Sequence, residues 1–501
     1  KNKKTMKPSK SILRVLALII ALASLLSVFV GCKNNETPVD TEEKETEKPK
    51  GSDLVEDELP VKDYGAEQFM VAIASNMAYQ FDETANDVRT GEAIAEWIMY
   101  VDEVYNIEFT VIQQNHLNVY SDINNLAFAG DTTFDLVGGQ CYRVYTAAQL
   151  KGFYQNWKNV PYINLATDCW NHNINDTMTL DGTLIGLSGS LGLSSVQYTM
   201  ATYFNYDLVE KYGYPASRLY KMVYDKEWTF DTLYTIAQNA WEDLNNDEKP
   251  STGDMFTFAS GTGNSYDHWL YSTGYEIVNK SDDGTMSIAM VSDFTTSVLS
   301  KLLSFYELNG VHRYDIYVQD KSTNERIEFR DGRLLFVAST FESTYSAYRN
   351  VSFDYGILPH PLWNEEQKEY CTNINDQFAV YCVPNYVRDD RLERLGLIVQ
   401  FMAQECRREI YPEYYDSVLK GRYSTEPDMA EMIDLIMQNV HFDFSQMYGE
   451  YLDDIPYMFR NLLTKGNPNL ASYYGNTVSN IKIDLNNIKK WHQQSKELPK
   501  D

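Results

Sequence analysis

From Phe69 onward the chain switches between two hydrophobic periods. Short apolar runs at Phe69–Ile73, Ile107–Ile112 and Phe134–Val137 fit buried strands, and the longer segments between them fit helices. Over Glu92–Val104 the apolar side chains fall at Ile94, Trp97, Ile98, Val101 and Val104, one face of an α-helix. A second helix is predicted around Ser121–Ala129. This β-α-β-α-β order predicts an α/β fold, with a parallel sheet covered by helices. The alternation returns after Ile185 and again after Phe378. Towards the C-terminus, Met429, Met432, Ile433, Leu435, Ile436 and Val440 continue a helical series.

The N-terminal stretch has a different texture. Lys1, Lys3, Lys4, Lys7 and Lys10 precede an apolar run from Val15 to Val30 that ends at Gly31-Cys32. A basic head, an apolar core and a small residue before a cut describe a secretory signal. The run is about 16 residues long, short of the roughly 20 that a spanning helix needs. A cysteine after the small residue resembles the lipobox of bacterial lipoproteins, although Phe29 stands where that motif prefers Leu or Val. The resemblance implies a signal peptide over residues 1–31 and a diacylglyceryl group on Cys32, whose two chains suffice for stable anchoring. From Lys33 to about Asp63 the chain is nearly all Glu, Lys, Thr, Asp and Pro. Such a composition buries too little to offset ordering entropy, so residues 32–63 are expected to form a disordered tether. The folded part is expected to begin near Tyr64.

Charge and cysteines narrow the function. The net charge is −28, and losing the six basic residues of positions 1–31 takes it to −34. Such acidity disfavours nucleic acid, and disfavours an anionic membrane beyond the lipid anchor itself. Besides Cys32 there are Cys141, Cys169, Cys371, Cys382 and Cys406, without C-x-x-C spacing. They form neither a disulfide framework nor a zinc site, and read as small buried residues with at most one bridge. The 38 tyrosines, 22 phenylalanines and 8 tryptophans tilt the ligand towards carbohydrate, because aromatic faces pack on the C–H faces of sugar rings. The same rings also serve to fill a core.

No H-E-x-x-H, G-x-S-x-G, G-x-x-x-x-G-K-[ST] or G-x-G-x-x-G motif occurs, and the seven histidines are scattered. The protein is therefore expected not to be an enzyme. The alternative is a secreted, lipid-anchored glycan hydrolase, which needs a carboxylate pair; nothing singles one out among 71 acidic residues. One local pattern carries chemistry. Asp243, Asn245, Asp247, Ser251 and Asp254 stand at positions one, three, five, nine and twelve of a loop, with the Lys249 carbonyl at seven. That stagger suits a structural Ca²⁺ ion. Glu248 occupies position six, where glycine normally permits the turn, so a plain Asp/Asn-rich turn is the competing reading.

Several segments in one order resemble the family 1 extracellular solute-binding proteins of ABC importers. They are Asp135–Gly139, Tyr203–Pro215 followed by Trp228–Asp231, Asp243–Asp254, Phe329–Phe336, Asp354–Pro361 and Gln377–Pro384. The likeness runs from about Phe69 to Glu405. It implies a two-lobed fold of the periplasmic-binding-protein type II, with a hinge and a ligand cleft. The first lobe would hold residues 64–190 plus 375–425, and the second 191–374 plus 426–501. Crossings are expected near Leu187–Leu193, Cys371–Asp376 and Gly421–Pro427. Trp228 is expected in the core, with Thr229 capping the next helix. By the same resemblance, ligand contacts are expected from Asn76, Gln140, Tyr142, Arg143 and Gln197. Tyr266, Asp267, Trp269, Phe341 and Glu342 are expected to complete them, with Trp269 either a stacking platform or a core residue. The implied role is delivery of a mono- or oligosaccharide to importer permease subunits, by a monomer on the outer face of the cytoplasmic membrane.

Overall fold

The computed structural model describes residues 54–261, 264–314, 323–415, 419 and 427–496. The signal segment, Cys32 and residues 421–426 of the expected third crossing lie outside the described residues.

Fourteen strands occur among the described residues. In chain order they are β1 (Glu67–Ala74), β2 (Ile107–Gln114), β3 (Leu136–Gln140), β4 (Met200–Asn205), β5 (Trp241–Glu242), β6 (Met255–Ser260) and β7 (Val278–Lys280). There follow β8 (Met286–Ile288), β9 (Val311–Arg313), β10 (Leu334–Thr340), β11 (Tyr355–Leu358), β12 (Thr372–Asn373), β13 (Ala379–Cys382) and β14 (Val440–His441). The first large sheet has the order β13-β3-β1-β2, and the second runs β11-β4-β10-β6-β5 with β9 beside β6. β1 pairs in parallel with β2 and β3, while β13 returns antiparallel to β3. Phe69 and Val71–Ala74 are buried on both faces of β1, which explains an apolar run without alternation.

The predicted helix at Glu92–Val104 extends over Val88–Tyr105. It starts four residues earlier because the Asp87 side chain accepts from the Arg89 and Thr90 amides, a cap worth about 1 kcal/mol. Asn106, in the left-handed region at φ 47°, ends it. Ile94, Trp97, Val101 and Tyr105 face the core. Asp135 locks the helix Asp389–Glu405 to this sheet. Its amide donates to Met70 O of β1, and its buried carboxylate accepts from the Met70 amide and meets Arg391 (2.7 Å) and Arg394 (3.3 Å). In β3, Gly138 leaves room for its neighbours: a Cβ there would sit 2.4 Å from Ile73 Cδ1 and 2.8 Å from the Tyr381 ring.

Two segments join the sheets side by side. Leu187 exchanges backbone hydrogen bonds with Tyr381 at the first sheet, and Thr199 bridges Ile374 at the second. Between them Asn375 N donates to Tyr198 O, and Tyr142 N donates to Asp376 O.

The structure departs from the expected boundaries twice. Residues 54–63 are not free tether. Val55 pairs with Asp168, the Gln404 amide binds both backbone groups of Asp57, and Glu56 meets Arg408 at 3.2 Å. Composition could not reveal these partners, because Gln404 lies 347 residues along the chain from Asp57. Secondly, the C-terminal region serves both sheets. Helix Pro427–Gln438 packs on β11 and helix Met458–Lys465 on helix Asn264–Tyr271, both on the second sheet's side. Helix Ile481–Lys496 instead packs on Val144–Gln149, beside the first sheet. His492 is buried there, 3.3 Å from the Thr183 carbonyl.

Candidate cleft between two strand-end edges

The parallel strands of each sheet bring their C-terminal ends to one edge, where α/β proteins place their ligands. On the first sheet, Ile73 is level with Gly138, so Asn76 after β1, Gln140 at the end of β3, and Tyr142 and Arg143 just beyond it share that edge. On the second, Met200 of β4 is level with Thr340 of β10, and β10 runs parallel to β6. Gln197 before β4, Phe341 and Glu342 after β10, and Tyr266–Trp269 after β6 therefore share the other edge. Bonds between the edges hold them close. Tyr345 Oη donates to Asn86 O at 3.0 Å, and Gln197 Nε2 donates to Asn86 Oδ1 at 3.1 Å.

The expected site residues divide by burial. Asn76 is exposed, and Tyr142 and Arg143 are half-buried. Gln140 is buried; its Nε2 meets Gln377 Oε1 at 3.3 Å, and its own Oε1 has no partner. Trp269 is not a stacking platform. It is 3% exposed, donates from Nε1 to Tyr306 Oη at 2.8 Å, and packs edge-on against Phe230 at 5.2 Å. Tyr266 and Phe341 are fully buried as well. The cause is helical phase: Tyr266, Trp269 and Leu270 fall at i, i+3 and i+4 of helix Asn264–Tyr271, the side turned to the sheet. Half-exposed rings at the edges include Tyr142, Tyr198 and Tyr345.

Charge is arranged in pairs. The Arg460 guanidinium grips both oxygens of Asp267 and lies over the Tyr457 ring at 4.4 Å. Arg143 meets Glu450 at 2.7 Å, and Arg326 meets Glu342 at 3.3 Å. Asp376, on the returning crossing, accepts from Tyr457 Oη. Burial pushes its carboxyl up to about 6; the Tyr457 hydrogen bond and Arg460 oppose the shift, and the Asp267 charge adds to it. Burial also raises Asp267, against the opposing charge of Arg460. Arg460, Tyr457 and Glu450 escape sequence reading because no spacing ties the C-terminal helices to the cleft. The one available signal is Tyr457 and Arg460 at i, i+3, one side of a helical turn.

The acidic loop lies apart, between β5 and β6. Asp243, Asp247 and Asp254 each offer a carboxylate oxygen, all within 4.8 Å of one another. Glu248 takes φ 59°, the left-handed turn that glycine would supply, so the side chain at position six does not block the loop. Asp254 is fully buried and accepts from the Leu244 amide at 3.0 Å. As expected, Trp228 is buried, and Thr229 accepts from the Thr232 amide to cap helix Phe230–Asn239. The five described cysteines are free, four of them buried.

Two α/β sheets joined by paired crossings, with their strand ends facing, form the fold of the two-lobed solute-binding proteins of ABC transporters. Among solved structures, the chain is similar to the cyclic α-maltosyl-1,6-maltose binding protein of Arthrobacter globiformis, at 13% identity and TM-score 0.55, over 86% of this chain and all of that one. It is similar to an ABC transporter solute-binding protein of Thermotoga lettingae bound with α-D-tagatose (15% identity, TM-score 0.51, 85% of this chain and 100% of that one). A third is the maltose/maltodextrin-binding domain of Bdellovibrio bacteriovorus bound to maltotriose (10%, 0.51, 86% and 100%). All three are binding proteins. No protein-family model matches the chain, and no curated protein sequence does.

Proposed function

We propose that this chain is a carbohydrate receptor for an ABC importer: the two edges close on a mono- or oligosaccharide, which is passed on unchanged. The observation that carries the reading is the pair of facing strand-end edges on two crossings, in a fold whose solved examples hold sugars. Tyr142, Tyr198 and Tyr345 supply the ring faces, and Gln140 Oε1 is a buried acceptor that a sugar hydroxyl completes. No group here is asked to break a bond. Isothermal calorimetry against neutral mono- and oligosaccharides, with reducing ends assayed in the same samples, tests it. One glycan should bind at micromolar affinity or better, unchanged in length. Turnover at catalytic rates would favour the lipid-anchored hydrolase instead.

Two further parts belong to this reading. Cys32 carries the lipid and residues 33–53 link it to the body, so Cys32→Ser should leave an uncut, unlipidated precursor; normal processing of that variant would refute the lipobox. In the acidic loop the three carboxylates, the Asn245 amide and the Lys249 carbonyl would hold Ca²⁺, which stiffens the chain between β5 and β6. An ion that binds only the folded state stabilises by about 2.7 kcal/mol at 100 times its dissociation constant, so a chelator should lower Tm. Asp247→Ala should have the same effect and abolish the response to chelator. An unchanged melting curve would leave an acidic turn.

A further inference from the structure

The two edges bring guanidinium groups to the cleft, the side chains that hold carboxylates and phosphates in most anion sites. Among the described residues, Arg143, Arg326 and Arg460 at the edges are each committed to a carboxylate of this chain, and the exposed Arg349 lies over the Tyr345 ring at 4.8 Å. Arg143 after β3 binds Glu450, which also accepts from Tyr145 Oη at 2.6 Å. Arg326 binds Glu342 and donates to Ser343 Oγ at 3.1 Å. Arg460 grips Asp267 through two nitrogens. Arg313, at the end of β9, is instead turned into the second core, 4% exposed, where it donates to Leu463 O at 2.6 Å. Asp376 adds a buried carboxyl with a tyrosine hydroxyl, not a cation, as its hydrogen-bond donor.

Resting on the glycan reading above, we propose that the cleft accepts uncharged glycans and rejects anionic ones, such as uronates and sulfated or phosphorylated sugars. An anion that engages Arg143, Arg326 or Arg460 must either displace the paired carboxylate or lie beside it, and in both cases two like charges meet. Like charges brought together in a desolvated site are a standard source of discrimination against the wrong ligand. The chain's charge of −28 acts in the same direction at long range. Hydroxyl groups, by contrast, can share the remaining lone pairs and N–H groups of the pairs without separating them.

The test uses the mature chain and calorimetry with matched trisaccharides: maltotriose, xylotriose and mannotriose against tri-galacturonate and glucuronate-substituted xylotriose. The tightest ligand should be neutral, with each uronate about tenfold or more weaker. A uronate that binds as tightly as the best neutral glycan overturns the inference and leaves the glycan reading standing. Failure of all five to bind, with a non-sugar solute binding instead, sinks the glycan reading and the inference with it. Glu450→Gln gives a second readout. Glu450 is partly exposed, so the fold tolerates the change, and Arg143 loses its carboxylate. This variant should bind tri-galacturonate about fivefold or more tighter than wild type. No gain would show that Arg143 does not govern anion rejection.

Discussion

The two edges of the cleft are built differently. On the first sheet, β1 leads to a 3₁₀ turn at Ala78–Phe81 and β3 runs into the 3₁₀ turn Cys141–Arg143 before helix Val144–Gln149, and Asn76, Tyr142 and Arg143 stay at least partly accessible. On the second, β6 and β10 run almost at once into helices Asn264–Tyr271 and Glu342–Ser346. The first turns of those helices fold the large side chains back onto the sheet. Tyr266, Trp269 and Phe341 become core, and what reaches the cleft is the ion-paired layer of Asp267, Arg460, Glu342 and Arg326. An aromatic residue after a strand is thus a ligand platform only where the following backbone leaves its face uncovered.

That contrast can be broken most forcefully at Trp269. Trp269→Ala should cost about 3–5 kcal/mol in urea denaturation, whereas Tyr142→Ala should cost under about 1 kcal/mol. Equal losses would erase the distinction between the edges. The two second-edge pairs should differ next. Asp267→Asn weakens a buried, two-nitrogen pair and should destabilise by roughly 2–3 kcal/mol. Glu342→Gln acts on a pair whose partners are 43% and 38% exposed, and should cost less than about 1 kcal/mol.

Acidity probes the same buried polar layer. His360 and His492 are held neutral by burial, pushed down to about 3 and about 4. Their unfolded forms take up protons first as pH falls below about 6.5, so stability drops over that window. Asp376, pushed up to about 6, has the opposite sign: between about 6 and 4 the folded chain takes up the proton first, and its contribution improves as pH falls. Asp376→Asn should therefore gain about 2 kcal/mol on wild type between pH 4.5 and 7.5, comparing denaturation curves at the two values. A constant difference would mean that the carboxyl titrates normally.

How much of this could be read beforehand follows from where the information lies. The β-α-β-α-β rhythm of the first sheet, helix Val88–Tyr105, the Thr229 cap and the loop at Asp243–Asp254 are local patterns, and each is found within two to four residues of its expected place. The first two crossings fall near Leu187–Thr199 and Ile374–Asp376 because the motif order fixed the strands on either side. What could not be read depends on distant partners. Gln404 clamps Asp57, Glu450 neutralises Arg143, and the final helix docks beside Val144–Gln149. Trp269 differs: its place in the core follows from a local pattern, the helical phase it shares with Tyr266, although the resemblance also offered it as a stacking platform.

We propose that the ligand lies between these edges and uses the accessible tyrosine of the first one, Tyr142. Calorimetric titration of the glycan that binds wild type best into Tyr142→Ala tests it most directly. Loss of one sugar-stacking ring should weaken binding about tenfold or more, with Tm lowered by only a few degrees. Unchanged affinity in a folded Tyr142→Ala protein would contradict the claim and move the ligand away from the end of β3.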